Sequence, residues 1–421
     1  MSALSPTDPH PSTEGPSGQA GEPVRFDVDL TRPDPIPESA IVRATALMRT
    51  GRLFRYGEFT DVDDDAAQLE VRFAELLDRR YAVGVSSGGG ALFLALRACG
   101  VRPGDRVLLN GYTLAPVPGA IDHAAAQPVL VEITEDLTID LEDLRRKAES
   151  SGARTLVLSH MRGHVADMDA VVRLCDELGI DLIEDCAHTL GARWSGRHTG
   201  TFGRAACFSA QTFKHLNSGE GGLVVTDDDE VAARTILHSG SYMLYAQHRA
   251  RPPLEAFEPL RGQVANYSMR MTALAAALIL PQLDLLPDRV ERMNRSYRRL
   301  EALLQGVPHV RLVQRPEQED YVGSSFQFSL TGLTREQISS VMQTVERYGL
   351  PLKWYGEPLM RGFTSRPAQW EYLGADQAVP RTDALLARLC DLRVPPSMEP
   401  ADCVLAVEII RFAIQQATRT G

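Results

Sequence analysis

The chain has 421 residues, 44% of them apolar and 24% charged, with a formal net charge of −11. That composition suits a globular protein of two domains, or one large domain with an appendage. Its acidity argues against nucleic acid or an anionic membrane surface as the main partner.

Residues 1–25 are rich in Pro, Ser and Gly, lack the apolar stretch of a signal peptide, and read as a disordered tail. From Ile41 to Leu77 the pattern is helical and amphipathic, broken near Gly51 and Gly57. An α/β rhythm follows. Tyr81–Val85 reads as a strand, then comes Ser86-Ser87-Gly88-Gly89-Gly90 and a helix through Cys99. Arg106–Asn110, Pro128–Val131 and Thr155–Ser159 read as strands, Met168–Leu178 as a helix, and Ile180–Glu184 as a buried strand ending in acids. Ala205–Ser209 and Gly222–Thr226 complete the set. Alternation of short apolar strands with helices implies a largely parallel sheet covered on both faces. A charged helix over residues 288–304 leads to a mixed region, with a strand at Val322–Leu330 and helices at 335–348 and 401–418. The expected organisation is a tail (1–25), a large domain with an N-terminal helical arm (26–290) and a small α+β domain (291–421).

No segment has the length of a transmembrane helix; the most apolar, Leu274–Leu280, runs into Pro281. Cys99, Cys175, Cys186, Cys207, Cys390 and Cys403 form no CxxC pair and read as buried thiols, so a cytoplasmic protein is expected.

Three features carry chemistry. The glycine loop Ser86–Gly90, between a strand and a helix, is either a tight turn or an anion site built from backbone N–H groups. Asp185, at the end of a buried strand, is either a helix N-cap or a carboxylate facing the ligand crevice of an α/β sheet. Lys214 is one of three lysines, with Lys147 and Lys353, among 44 basic residues. It sits between an apolar stretch and Gly219-Glu220-Gly221-Gly222. A lysine there is either a solvated side chain or a desolvated amine able to form a Schiff base. Together, in this order, the three make a place for pyridoxal 5′-phosphate, with phosphate on the loop, ring nitrogen on Asp185 and aldehyde on Lys214.

With Ser159-His160-Met161-Arg162-Gly163-His164-Val165-Ala166-Asp167-Met168-Asp169, Glu184-Asp185-Cys186-Ala187-His188, Gly200-Thr201-Phe202-Gly203 and Lys214 through Gly222, the chain resembles the DegT/DnrJ/EryC1/StrS group of fold-type-I aminotransferases from about Gly51 to Thr418. The resemblance implies that Lys214 holds the cofactor, Asp185 its ring nitrogen, and that His188 lies beside the ring. It puts Ser209 with Gly88, Gly89 and Gly90 on the phosphate. It implies a homodimer with shared sites: Arg270 matches a motif that reaches the neighbouring subunit, and the phosphate contact made across the dimer falls at Ser268, with Asn266 two residues away as the candidate to compensate. Departures fall at Gly89, where a threonine is usual, and at Leu114, where an aromatic ring is usual unless Tyr112 substitutes. They fall also at Ser268, where asparagine is usual, and at Arg162 and His164; Tyr112, Arg162, His164 and Arg270 are candidate substrate contacts. No metal is expected, because His160 and His164 lack a third ligand. The aromatic stretch Trp354, Tyr355, Phe363 and Trp370, with Lys353, Arg361 and Arg366, reads as core packing or a substrate entrance. The expected activity is amino transfer from glutamate or glutamine to a keto-sugar or related cyclic ketone in secondary-metabolite or amino-sugar biosynthesis. The alternative is elimination, substitution or carbon–carbon bond formation on an amino acid by the same cofactor.

Overall fold

The computed structural model describes residues 22–57, 64–359, 365–373 and 377–419. Most of the expected tail, residues 1–21, and also Arg361 and Phe363, lie outside that range. In chain order the elements are α1 (Glu38–Thr50), α2 (Asp65–Leu76), β1 (Tyr81–Val85), α3 (Gly88–Ala98), β2 (Arg106–Asn110), α4 (Pro116–His123), β3 (Gln127–Val131), α5 (Leu141–Ser151), β4 (Thr155–Ser159), α6 (Met168–Leu178) and β5 (Asp181–Asp185). Then follow β6 (Arg193–Trp194), β7 (Arg197–His198), β8 (Ala205–Ser209), β9 (Gly222–Thr226), α7 (Asp229–Ile236), α8 (Ala273–Ile279) and α9 (Leu286–Leu304). The rest are β10 (Val310–Leu312), β11 (Glu319–Asp320), β12 (Ser325–Leu330), α10 (Arg335–Arg347), β13 (Lys353–Trp354), α11 (Pro380–Leu386), β14 (Leu389–Arg393) and α12 (Pro400–Arg419).

The main sheet has seven strands in the order β1-β9-β8-β5-β4-β2-β3. Strand β9 runs against both its neighbours, and the other pairings are parallel. The expected largely parallel α/β architecture is what the chain forms. Both faces are dry, so these strands read as continuous apolar runs rather than alternating ones. Val83, Val157, Ile183 and Val224 pack beneath Leu94 and Ile236 of the helices on one face. Ala82, Phe208, Leu223 and Val225 pack beneath Phe73 and Ile279 on the other.

A second sheet, β10-β12-β14-β13, is antiparallel throughout. It shares a core with α9, α10 and α12, in which Phe326, Phe328, Leu392 and Ile410 are at most 1% exposed. Phe26 and Leu30 join this second core, and Phe26 N–H donates to Tyr348 O at 2.7 Å. The sequence reading groups them with the large domain; their apolar side chains are buried in a core whose other members lie more than 260 residues later in the chain.

Two local arrangements position the site. Strand β5 ends at Asp185, one residue beyond the sequence expectation, and its register sets Asp185 beside Ser159. Strand β9, which follows the Lys214 loop, begins at Gly222 against the turn before α3. A Cβ there would lie 2.2 Å from Ser87 O, so only glycine lets the two segments touch.

Candidate active site

A cavity of about 630 Å³ opens at the carboxyl ends of β1, β4 and β5, where open α/β sheets bind ligands. Its wall includes Gly88, Gly89, Leu114, Arg162, Asp185, His188, Ser209 and Lys214, drawn from positions up to 126 residues apart in sequence. The three features singled out in the sequence therefore face one space.

Lys214 Nζ lies 2.9 Å from His188 Nε2. Burial, then the positive charge of Arg162, lowers the Lys214 pKa from 10.5 to about 7. Burial, then Lys214 itself, holds His188 well below its usual 6.5. The pair is thus an amine, neutral in a large fraction of molecules near pH 7, beside a neutral imidazole whose Nε2 can accept from it. Asp185 is 5% exposed. Its Oδ2 accepts from Ser159 Oγ–H at 2.8 Å and its Oδ1 from Ala187 N–H at 3.1 Å. Each oxygen keeps a lone pair for a further donor.

At the other end of the cavity, α3 begins. Ser87 is its N-cap, and the hydroxyl oxygen accepts from Gly90 N–H at 3.0 Å. The Gly90 N–H is therefore taken by the cap and Gly90 is off the cavity wall, whereas Gly88 and Gly89 line it. A Cβ at Gly89 would meet nothing within 4 Å, so the missing threonine leaves open space rather than a filled one. Ser209, at the end of β8, lines the cavity alongside the loop.

Other candidates are placed elsewhere. Tyr112 is 1% exposed, packs edge-on to Tyr355 at 5.6 Å between ring centres, and lies behind the wall. Leu114 alone faces the cavity at that point, so Tyr112 does not take the place of the missing ring. His164 is buried and its Nε2 is 2.8 Å from Gln327 Oε1, away from the cavity surface. Asn266 Oδ1 accepts from Ser268 N–H at 2.8 Å; both residues are exposed and off this wall. Arg270 donates to Gly240 O at 2.6 Å and lines an adjoining cavity of about 260 Å³, which shares Glu220 with the main one. Trp354, Tyr355 and Trp370 are core residues, each at most 5% exposed, while Lys353 reaches the cavity.

His160, Glu184 and Cys186 offer ligand atoms within 4.8 Å of one another. The Glu184 carboxylate, however, accepts N–H groups from Gly200, Phe202 and Gly203, each at 2.8 Å, and faces His160 Nε2 at 3.3 Å. Burial keeps the Cys186 thiol protonated. The cluster anchors the 200–203 turn.

Residues that the sequence reading missed are Asp391 and Arg393 on β14; Lys353, in the stretch read as core packing or a substrate entrance, lines the cavity with Arg393. The signal is alternation in Leu389-Cys390-Asp391-Leu392-Arg393: Cys390 and Leu392 enter the second core, which turns Asp391 and Arg393 to the opposite face.

A model of the DegT/DnrJ/EryC1/StrS aminotransferase family matches residues 40–411. A Micromonospora echinospora protein provisionally named L-glutamine:3-amino-2,3-dideoxy-scyllo-inosose aminotransferase is 36% identical over 220 residues, 52% of this chain and 50% of that one. The match thus spans about half that relative's length. The 3-amino-5-hydroxybenzoate synthase of Amycolatopsis mediterranei is 29% identical over 91% of this chain and 96% of its own. Among solved structures, DesV of S. venezuelae aligns with TM-score 0.74 and 26% identity over 89% of this chain and 94% of that one.

Proposed function

The chain belongs to the DegT/DnrJ/EryC1/StrS aminotransferase family, and on that premise we propose that it is a pyridoxal-phosphate-dependent aminotransferase acting on a cyclic ketone, with glutamine or glutamate as donor. The observation that carries this reading is the enclosed Lys214 amine, brought to a pKa of about 7, on one cavity with Asp185 and the start of α3. The donor set fits the cofactor. Gly88 and Gly89 offer N–H groups and a helix N-terminus for a phosphate, Asp185 has spare acceptor capacity for a protonated ring nitrogen, and Lys214 supplies the amine. When bound, pyridoxal 5′-phosphate would supply an aldehyde for that amine and an electron-withdrawing ring.

The chain's own residues do the rest. Lys214 Nζ, poised near neutrality, takes a proton from the donor's carbon and returns it elsewhere, which requires a pKa close to the working pH. His188, uncharged, accepts from the amine and orients it. Asp185, clamped by Ser159 and Ala187 N–H, holds a fixed negative charge at the strand end. Leu92, Leu114, Val117 and Met161 exclude water from one side of the cavity. The names that pair L-glutamine with an inosose support the choice of donor and of a ring-shaped acceptor. Asn266 and Ser268 lie exposed and off their own cavity, which supports a homodimer with shared sites.

The test is borohydride treatment of cofactor-loaded protein, followed by peptide mass spectrometry and single-turnover amino transfer with glutamine. Cofactor mass on the Lys214 peptide and transfer lost in Lys214→Ala are expected. Label on another lysine, or transfer by Lys214→Ala without added amine, refutes the reading.

A further inference from the structure

Three cations converge on the wall of the cavity beside Lys214. Arg162 follows β4, Lys353 lies on β13 and Arg393 on β14; all three line the cavity. Both Arg162 and Arg393 are felt as charges at the Lys214 amine. A wall of three like charges is costly to bury without counter-charge.

The protein supplies little. Asp391 is 1% exposed and stands behind the wall. Its Oδ1 already accepts from Ser325 Oγ–H at 2.6 Å and from Gln327 Nε2. Its Oδ2 lies 3.1 Å from Arg162 Nη2, out of line for a hydrogen bond, and Arg162 Nε also has no partner. The buried Arg162 guanidinium is thus ion-paired to Asp391; burial alone would lower its pKa, but Asp391 and Tyr355 hold it above the usual value, and that pairing leaves Asp391 little to offer Lys353 or Arg393. The side chains of Lys353 and Arg393 make no hydrogen bond or ion pair within 4 Å among the described residues. Arg393 rests its guanidinium on the Phe213 ring at 4.3 Å, and the other acid that bears on it, Asp29, is exposed and bonded to Thr31. Burial lowers the pKa of both Lys353 and Arg393, as expected of cations lacking a full counter-charge.

The backbone is bent to hold this arrangement. Arg162 has φ 56°, left-handed for a bulky residue, and Gly163 follows with φ 84° and no room for a Cβ beside Val322 O at 2.8 Å. Strain of this kind persists where surrounding structure fixes it, often at ligand sites. His164 completes the support: held neutral by burial, it bonds Gln327, which donates to Asp391. The two departures Arg162 and His164 thus feed one network.

We propose that Arg162, Lys353 and Arg393 form an anion subsite for a carboxylate on the molecule that reacts at Lys214, and that the ketone acceptor is a ring bearing a carboxylate. The inference rests on the aminotransferase reading. In such a reaction donor and acceptor use the cavity in turn, so a neutral acceptor would leave the wall unmatched in one half of the cycle. A carboxylate meets planar guanidinium groups in paired hydrogen bonds, and the closeness of the wall to Lys214 puts the anion on the reacting molecule itself.

Isothermal calorimetry on cofactor-loaded protein tests this with cyclohexanecarboxylate, its neutral analogue cyclohexylmethanol, and inorganic phosphate. The carboxylate is expected to bind at least tenfold tighter than the alcohol or phosphate. Arg393→Gln and Lys353→Gln, both partly exposed positions, should each weaken the carboxylate about ten- to hundredfold while leaving the alcohol unchanged. Arg393→Lys should restore much of the preference, which a merely structural role would not. Equal affinity for acid and alcohol, no measurable carboxylate binding, phosphate binding as tightly, or carboxylate affinity unchanged in both Gln variants overturns the proposal. Binding is read without turnover, so failure of amino transfer and failure of the subsite are separate results.

Discussion

The most direct consequence of the site is a penalty written into the cofactor-free protein. Lys214 has an ordinary pKa of 10.5 when unfolded and about 7 when folded. Below pH 7 both states hold the proton, and the folded state bears the whole cost of enclosing an ammonium. Between 7 and 10.5 the unfolded chain binds more protons than the folded one, so stability rises with pH. At 1.36 kcal/mol per tenfold change in proton affinity, the full penalty is about 5 kcal/mol. Between pH 6 and 9.5 it should shrink by about 3 kcal/mol. Lys214→Met removes the titrating group while keeping an unbranched side chain. Urea unfolding of cofactor-free wild type and Lys214→Met at both pH values isolates this group, because the other titrations cancel in the comparison. Lys214→Met is expected to gain on wild type at pH 6 and lose most of that gain at pH 9.5. A difference between the two proteins that does not vary with pH would mean that the amine is not desolvated and that Lys214 is not poised near neutrality.

Asp185→Asn should still place cofactor on Lys214, seen after borohydride fixation, while slowing single-turnover amino transfer about a hundredfold, since a fixed charge is replaced by a dipole; an unchanged rate would remove Asp185 from the chemistry. Gly222→Ala puts a methyl group 2.2 Å from Ser87 O, so the turn before α3 must shift. Cofactor retention on gel filtration should fall, with a stability loss of about 1–3 kcal/mol. Glu184→Gln turns a donor toward the turn at residues 200–203 and should cost about 1–3 kcal/mol at neutral pH. Burial alone would raise the Glu184 pKa, but His160 and the turn's N–H groups hold it below 4.5. The stabilisation is therefore present above pH 4.5 and fades as pH falls toward the lowered value, so wild type and Glu184→Gln should converge in acid.

Features set by neighbours along the chain are legible in the residues themselves. An acid ending an apolar strand, a glycine turn opening a helix, and a lysine before a glycine run each have a local cause, and the strands β1, β2, β4, β8 and β9 fall where their apolar runs lie. The helices α4, α5, α7, α8 and α11 leave little trace because their apolar faces are short and only the sheet beneath them makes those faces useful. Tyr112 and His164 look available from sequence because nothing nearby in the chain buries them; Tyr355 and Gln327, distant in sequence, do so.

The cationic wall is hidden for the same reason in stronger form. It joins a left-handed residue after β4 to two short strands some 190 and 230 residues later, and its sole buried acid among the described residues, Asp391, sits mid-strand between Cys390 and Leu392, where sequence alone suggests a surface charge. The Lys214 amine depends on that wall as well as on its enclosure: burial, then Arg162, brings it to about 7. An acid bound there would partly cancel the field of Arg162 and Arg393 and draw the amine's pKa upward. Recognition and proton transfer are then coupled through one set of charges, and a carboxylate-bearing ligand should move the pH dependence of Lys214 reactivity to higher pH. Trinitrophenylation rates of Lys214 in cofactor-free protein, with and without cyclohexanecarboxylate, read that movement; its absence while the ligand is bound would separate the anion subsite from the amine.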